Sequence, residues 1–111
     1  CHYFDEAHAV MEQLCRDNDE GVRLFATAGL ANTPAGLGTT LLGRCLADSA
    51  YTVRKAAAQV ACAVDWPELA PVLDAAAAAE TDARVQVVLR MAVAHARTVA
   101  GEEDDPELLD L

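Results

Sequence analysis

One pattern limits what this chain can fold into more than any other: a short phrase recurs three times at nearly constant spacing. With Val22, Val53 and Val85 set in one column, the intervals are 31 and 32 residues. From each Val, small or apolar residues recur at the third, fourth, seventh and eighth positions on: Phe25, Ala26, Gly29 and Leu30, then Ala56, Ala57, Val60 and Ala61, then Val88, Leu89, Ala92 and Val93. That spacing places them on one face of a helix, in the same phase each time. An acid stands five positions before each Val (Asp17, Asp48, Glu80), and a base follows it in two copies, Arg23 and Arg54, with Gln86 in the third. Self-similarity at a fixed period of this length is the signature of a helical repeat array.

Between these helices the sequence predicts second helices. Thr33 before Pro34 has the form of an N-cap followed by proline in the first turn, where a missing N–H costs nothing. Asp65 and Glu68 have the spacing of a capping box, with Pro67 in the first turn. The second helices then carry Leu37, Leu41, Leu42, Cys45 and Leu46 in one unit and Leu69, Val72, Leu73 and Ala76 in the next. The opening residues end like the first of these, with Val10, Met11, Leu14 and Cys15 on the matching face, so residues 4–16 are expected to be the second helix of an incomplete pair. Units at 17–47 and 48–79, an incomplete unit at 80–100 and an acidic tail or partial cap at 101–111 complete the division of one domain.

These phrases, "DNDEGVRLFA" from Asp17, "DSAYTVRKAA" from Asp48 and, more loosely, "ETDARVQVVL" from Glu80, resemble the HEAT-like repeats of the phycobilisome-lyase type over residues 4 to 100. The resemblance implies an all-α fold: a short right-handed α-solenoid of antiparallel helix pairs with about six helices. It also implies that Asp17, Arg23, Asp48 and Arg54 bond neighbouring repeats together. In the third copy Gln86 cannot make a charged fork, and Arg84 or Arg90 is the candidate to replace it.

Composition agrees. Apolar residues make up 53% of the 111 and aromatics 5%, so the core must be built from Ala, Val and Leu, which let helices approach closely. No apolar run approaches the ~20 residues of a membrane span. The net charge of −10 is uneven: residues 102–110 hold six acids and no base, leaving 12 acids against 8 Lys and Arg elsewhere. A single lysine and no basic stripe disfavour nucleic acid. Cys1, Cys15, Cys45 and Cys62 lie 14, 30 and 17 positions apart, with no metal-ligand spacing, so no metal is expected. Cys15, Cys45 and Cys62 fit buried positions in a reducing cytoplasm. Cys1 at the first position suggests processing or excision from a longer chain, with lipid anchoring as the less favoured reading.

No catalytic constellation emerges. "DEAH" at 5–8 matches a helicase box in letters only, because "GLGTT" at 36–40 lacks the phosphate-binding Lys. His2, His8 and His95 fall near no nucleophile, and Asp5 and Glu6 suit the start of a helix. The expected function is therefore a noncatalytic scaffold or adaptor that binds a protein or peptide, without cofactor. A bilin-lyase-type subunit is the alternative, and a HEAT-like base-excision module a weaker one. Gly36, Gly38 and Gly43, with the alanines at 75–79, thin the second helices and suggest either close helix packing or a shallow groove, with Gln13, Gly43, Arg44 and Asp74 as its contacts. Val87 and Met91 continue an apolar strip on the last helix. They are expected to be covered by Leu108, Leu109 and Leu111 or by a further repeat, or to support self-association.

Overall fold

The structure, a computed structural model, describes residues 2–101. Six α-helices follow one another: α1 (His2–Cys15), α2 (Glu20–Gly29), α3 (Ala35–Cys45), α4 (Tyr51–Ala63), α5 (Leu69–Ala79) and α6 (Ala83–Ala100). A single 3-10 turn, Leu30–Asn32, extends α2, and no strand occurs among the described residues. The acidic segment 102–110, the cap expected of Leu108, Leu109 and Leu111, and Cys1 lie outside the described residues.

Each helix touches the helix two places further on: α1 meets α3, α2 meets α4, α3 meets α5 and α4 meets α6. Helices of adjoining expected units also meet, α1 with α2, α3 with α4 and α5 with α6, whereas the two helices expected to pair within a unit, α2 with α3 and α4 with α5, are not among the main contacts. The smallest dimension of the molecule, 17 Å, has room for two helices side by side at the usual 8–10 Å separation. Small residues permit this density. Ala57, Ala58 and Ala61 on α4 are inaccessible or nearly so, which lets α4 sit between α2 and α6, while Leu30, Leu41, Leu42, Leu69, Leu73 and Leu89 fill the space between the rows.

The Val column does not have one environment throughout. Val53 and Val85 are fully buried, whereas Val22 is half-buried. Phe25, expected on the buried face, is 81% exposed, and Val10 is 53% exposed. Both belong to the N-terminal end of the stack, where, among the described residues, the row α2, α4, α6 has no helix before α2.

Two helix starts differ from expectation. Thr33 does not cap α3: its hydroxyl donates to the Leu30 carbonyl at 2.6 Å, and Pro34 occupies the cap position with no side-chain bond. The box at the start of α5 does not form either. Asp65 turns instead towards α6, where its carboxylate lies 3.0 Å from His95 Nε2, and α5 opens through a turn in which Leu69 N–H donates to the Trp66 carbonyl. True caps appear at Asp19, which accepts from Gly21 and Val22 N–H, and at Asp82, which accepts from Arg84 N–H. At its far end α6 stops at Gly101, in the left-handed conformation at φ 78°, where glycine carries no steric cost.

Gly38 has a packing reason. A Cβ there would overlap the Trp66 ring and approach Thr33 Oγ1 to 2.7 Å, so the absent side chain is what lets the indole lie across α3. At Gly43 the same atom would meet only Val72 Cγ1 at 3.6 Å, an ordinary contact, and at Gly36 it would meet nothing.

Candidate functional site

The acids and arginines of the repeated phrase form two clasps of the same design. Arg23 Nε donates to Asp48 Oδ2 at 2.9 Å and its Nη2 to Asp48 Oδ1 at 3.2 Å, a two-pronged fork between α2 and the turn before α4. Its remaining nitrogen, Nη1, donates back to the carbonyls of Asp17 and Asn18 at 2.9 and 3.2 Å. One unit later, Arg54 Nε donates to Glu80 Oε1 at 2.8 Å while Nη1 donates to the carbonyls of Asp48 and Ser49 at 2.8 and 3.2 Å. Each arginine thus ties the start of its own unit to the acid of the next.

In the third copy Gln86 Nε2 keeps the backward bond, donating to the Glu80 carbonyl at 2.7 Å, and makes no forward one among the described residues. An amide suffices for that backward bond to a carbonyl. Arg84 does not take over the forward role. It pairs with Asp82 at 2.8 Å and lies over the Tyr51 ring at 3.7 Å, joining α6 to α4 by a stacked cation instead, while Arg90 is exposed.

The three acids also share a backbone role. Asp17, Asp48 and Glu80 accept the N–H two residues on, from Asp19, Ala50 and Asp82 at 2.8, 2.9 and 2.9 Å. Glu80 is the most enclosed, its side chain 3% exposed. Burial opposes its ionisation, but the Asp82 N–H and the Arg54 guanidinium outweigh that and hold its carboxyl below the usual glutamate value. Asp82, bonded to the Arg84 side chain, is held down to about 2. Asp17 is bridged to no other unit among the described residues.

Next to the second clasp lies an open groove of about 690 Å³ between α3 and α5. Gly43 and Val72 line one part, Ala75, Ala76 and Ala79 form a floor of methyl groups, and Asp48, Arg54, Glu80 and Thr81 close one end with polar atoms. The side chains expected to make a partner surface do not converge there, since only Gly43 lines it. Arg44 is exposed, 3.8 Å from Glu12 of α1. Gln13 faces a smaller hollow of about 300 Å³ beside Val10 and Arg16. Asp74 pairs with Arg97 of α6 at 3.2 Å, and Val87 and Met91 stand 60% and 57% exposed on α6. The polar end of the groove was missed as a surface, although the repeat column had already marked three of its four residues.

Cys15, Cys45 and His95 are held in packing roles. Thr27 Oγ1 lies 2.7 Å from the Arg23 carbonyl and 3.2 Å from Cys45 Sγ. A hydroxyl has one proton, and the shorter contact takes it, so the Cys45 thiol donates to Thr27. A hydrogen bond with Cys45 and burial both push the Cys15 thiol up. His95 Nε2, 2.9 Å from the Val64 carbonyl and close to Asp65, fastens α6 to the loop after α4. Among the described residues no group of three or more His, Cys, Asp or Glu is placed to hold a metal ion, and no helix is long and apolar enough to cross a membrane.

Comparison of the chain with protein-family models, with curated proteins and with solved structures gives no match.

Proposed function

We propose that this chain is a noncatalytic α-solenoid module of HEAT-like repeats that binds a protein or peptide along the groove between α3 and α5. The observation that carries the reading is the pair of like clasps, Arg23 with Asp48 and Arg54 with Glu80, each with the same backward bonds to carbonyls six and five residues earlier. Repeated units fastened in one register create a continuous surface instead of a single enclosed pocket, and such surfaces bind extended partners. The groove suits a peptide: its alanine floor admits close backbone approach, and the second clasp with Thr81 gives it one polar end.

Ala75 and Ala79 are exposed, so arginine at either position blocks the groove without entering the core. Capture from the source cell followed by direct binding of the captured partner should give one that binds the parent chain and loses at least about tenfold in affinity to Ala75→Arg or Ala79→Arg. Partners that bind both variants as tightly as the parent, with unchanged circular dichroism and melting, would dismiss the groove as the working surface.

A further inference from the structure

The two ends of the helix row α2, α4, α6 are built differently, and the difference points to a second contact surface. On a helix, side chains one and three positions after the reference Val stand about 200° apart, so they face opposite neighbours. The first of these positions faces forward: Arg23 and Arg54 reach the acid of the next unit. The second faces back: Val88 of α6 is buried where Cys62 of α4 lies against its carbonyl at 3.8 Å, and Ala56 of α4, the helix that packs on α2, is half-buried. The equivalent residue of α2 is Phe25, the largest side chain of the three and 81% exposed.

At the α6 end the described positions that match the forward-facing ones of earlier units are polar, while Val87 and Met91 stand exposed beside them. Gln86 has no forward partner among the described residues, and Arg90 stands exposed where Thr27 and Ala58 are fully buried in the earlier units. At the α2 end nothing equivalent occurs. Asp17 is fixed by the Asp19 N–H in the same turn that positions Asp48 and Glu80 for their arginines, yet its Oδ2 has no partner among the described residues. An oriented carboxylate and an exposed aromatic ring stand in the two positions which, one unit later, receive an arginine and a helix.

We infer that the α1/α2 end is a docking face for a partner's arginine-bearing amphipathic helix, laid on α2 as α2 lies on α4, with its guanidinium on Asp17 and its small side chains over Phe25. A second copy of this chain is a poorer occupant, because the end it would present carries Gln86 and Arg90 in place of the arginine and the small residue. The inference rests on the repeat reading proposed above, but it concerns a different surface from the groove, so failure of one test leaves the other standing.

The experiment joins a copy of residues 48–68, with Cys62 replaced by Ser, ahead of α1 in the full chain, so that the Arg54-bearing helix is supplied at high effective concentration. The extended chain should melt about 5 °C or more above the parent. Replacing the arginine of the added copy by Met, or Asp17 by Asn, should each remove part of that gain, and the two together should remove no more than either alone. In the parent chain Asp17→Asn should leave the midpoint unchanged. An added helix that leaves the midpoint where it was overturns the proposal, as does a gain indifferent to both the arginine and Asp17. Concentration-dependent dimerisation of the parent, abolished by Phe25→Ser in sedimentation, would assign this face to a second copy and overturn it equally.

Discussion

Replacing Arg54 by Met separates the clasp from the packing around it, because Met keeps the aliphatic stem and removes the guanidinium with its bonds to Glu80 and to the Asp48 and Ser49 carbonyls. The residue left behind is the important one. Glu80 has a side chain 3% exposed and retains only the N–H groups of Thr81 and Asp82, at 3.1 and 2.9 Å, once the guanidinium is gone. Breaking an enclosed pair from one side costs about 3–5 kcal/mol. Here the two amides still solvate the carboxylate, and the Arg54 position is 18% exposed and admits water, so about 2–3 kcal/mol is expected. At this chain length that lowers the melting midpoint by roughly 8–12 °C. Urea unfolding followed by circular dichroism at neutral pH measures it. In a Glu80→Gln background the same replacement should cost about 1 kcal/mol, since a neutral amide does not need the cation and only the bonds to the Asp48 and Ser49 carbonyls are lost. A loss below about 0.5 kcal/mol in the parent background would refute the reasoning, because it would mean that the buried carboxylate is stabilised by something other than its fork.

Gly38→Ala forces the Trp66 ring off α3 and should cost about 1–3 kcal/mol with a red shift of indole emission; an unchanged spectrum and midpoint would show that the ring yields freely. Ala57→Asp places a carboxylate where the side chain is fully inaccessible, and a loss of about 4 kcal/mol or failure to fold is expected, whereas an unchanged midpoint would remove Ala57 from the core. Acid should weaken the second clasp. Glu80 has a folded value below the unfolded one of about 4.3, so its stabilisation is fully present above that pH and is lost as pH falls through the folded value. The parent should therefore lose more stability than Arg54→Met between pH 5 and pH 3 in urea titrations, and parallel curves would contradict the assignment.

What the sequence made legible was periodic. Helical spacing around Val53 and Val85 located α4 and α6, the acid and arginine columns marked the positions that meet in the clasps, and small residues at 57 and 61 foretold close helix contact. Phe25 was misread because periodicity reports which face a residue shares, not whether a neighbour stands there. The Thr33 and Asp65 caps failed for a related reason: each side chain found a tertiary or turn partner, Leu30 carbonyl or His95, that competed with the helix start. The groove was half legible. Gly43 and the alanine run pointed to thinness, but only packing shows that Arg44 turns to Glu12 and Asp74 to Arg97, away from it.

Duplication of one whole unit tests most directly whether the chain is a stack of interchangeable, clasped units. A chain in which residues 48–79 occur twice in succession keeps every clasp in register, since the first copy's Arg54 meets the second copy's Asp48 and the second copy's Arg54 meets Glu80. The account predicts undiminished ellipticity per residue, a single cooperative transition, and a urea m-value larger by about a quarter, in line with the added buried surface. An inserted unit that unfolds as a loop, leaving the m-value at the parent's and lowering the ellipticity per residue, would contradict it.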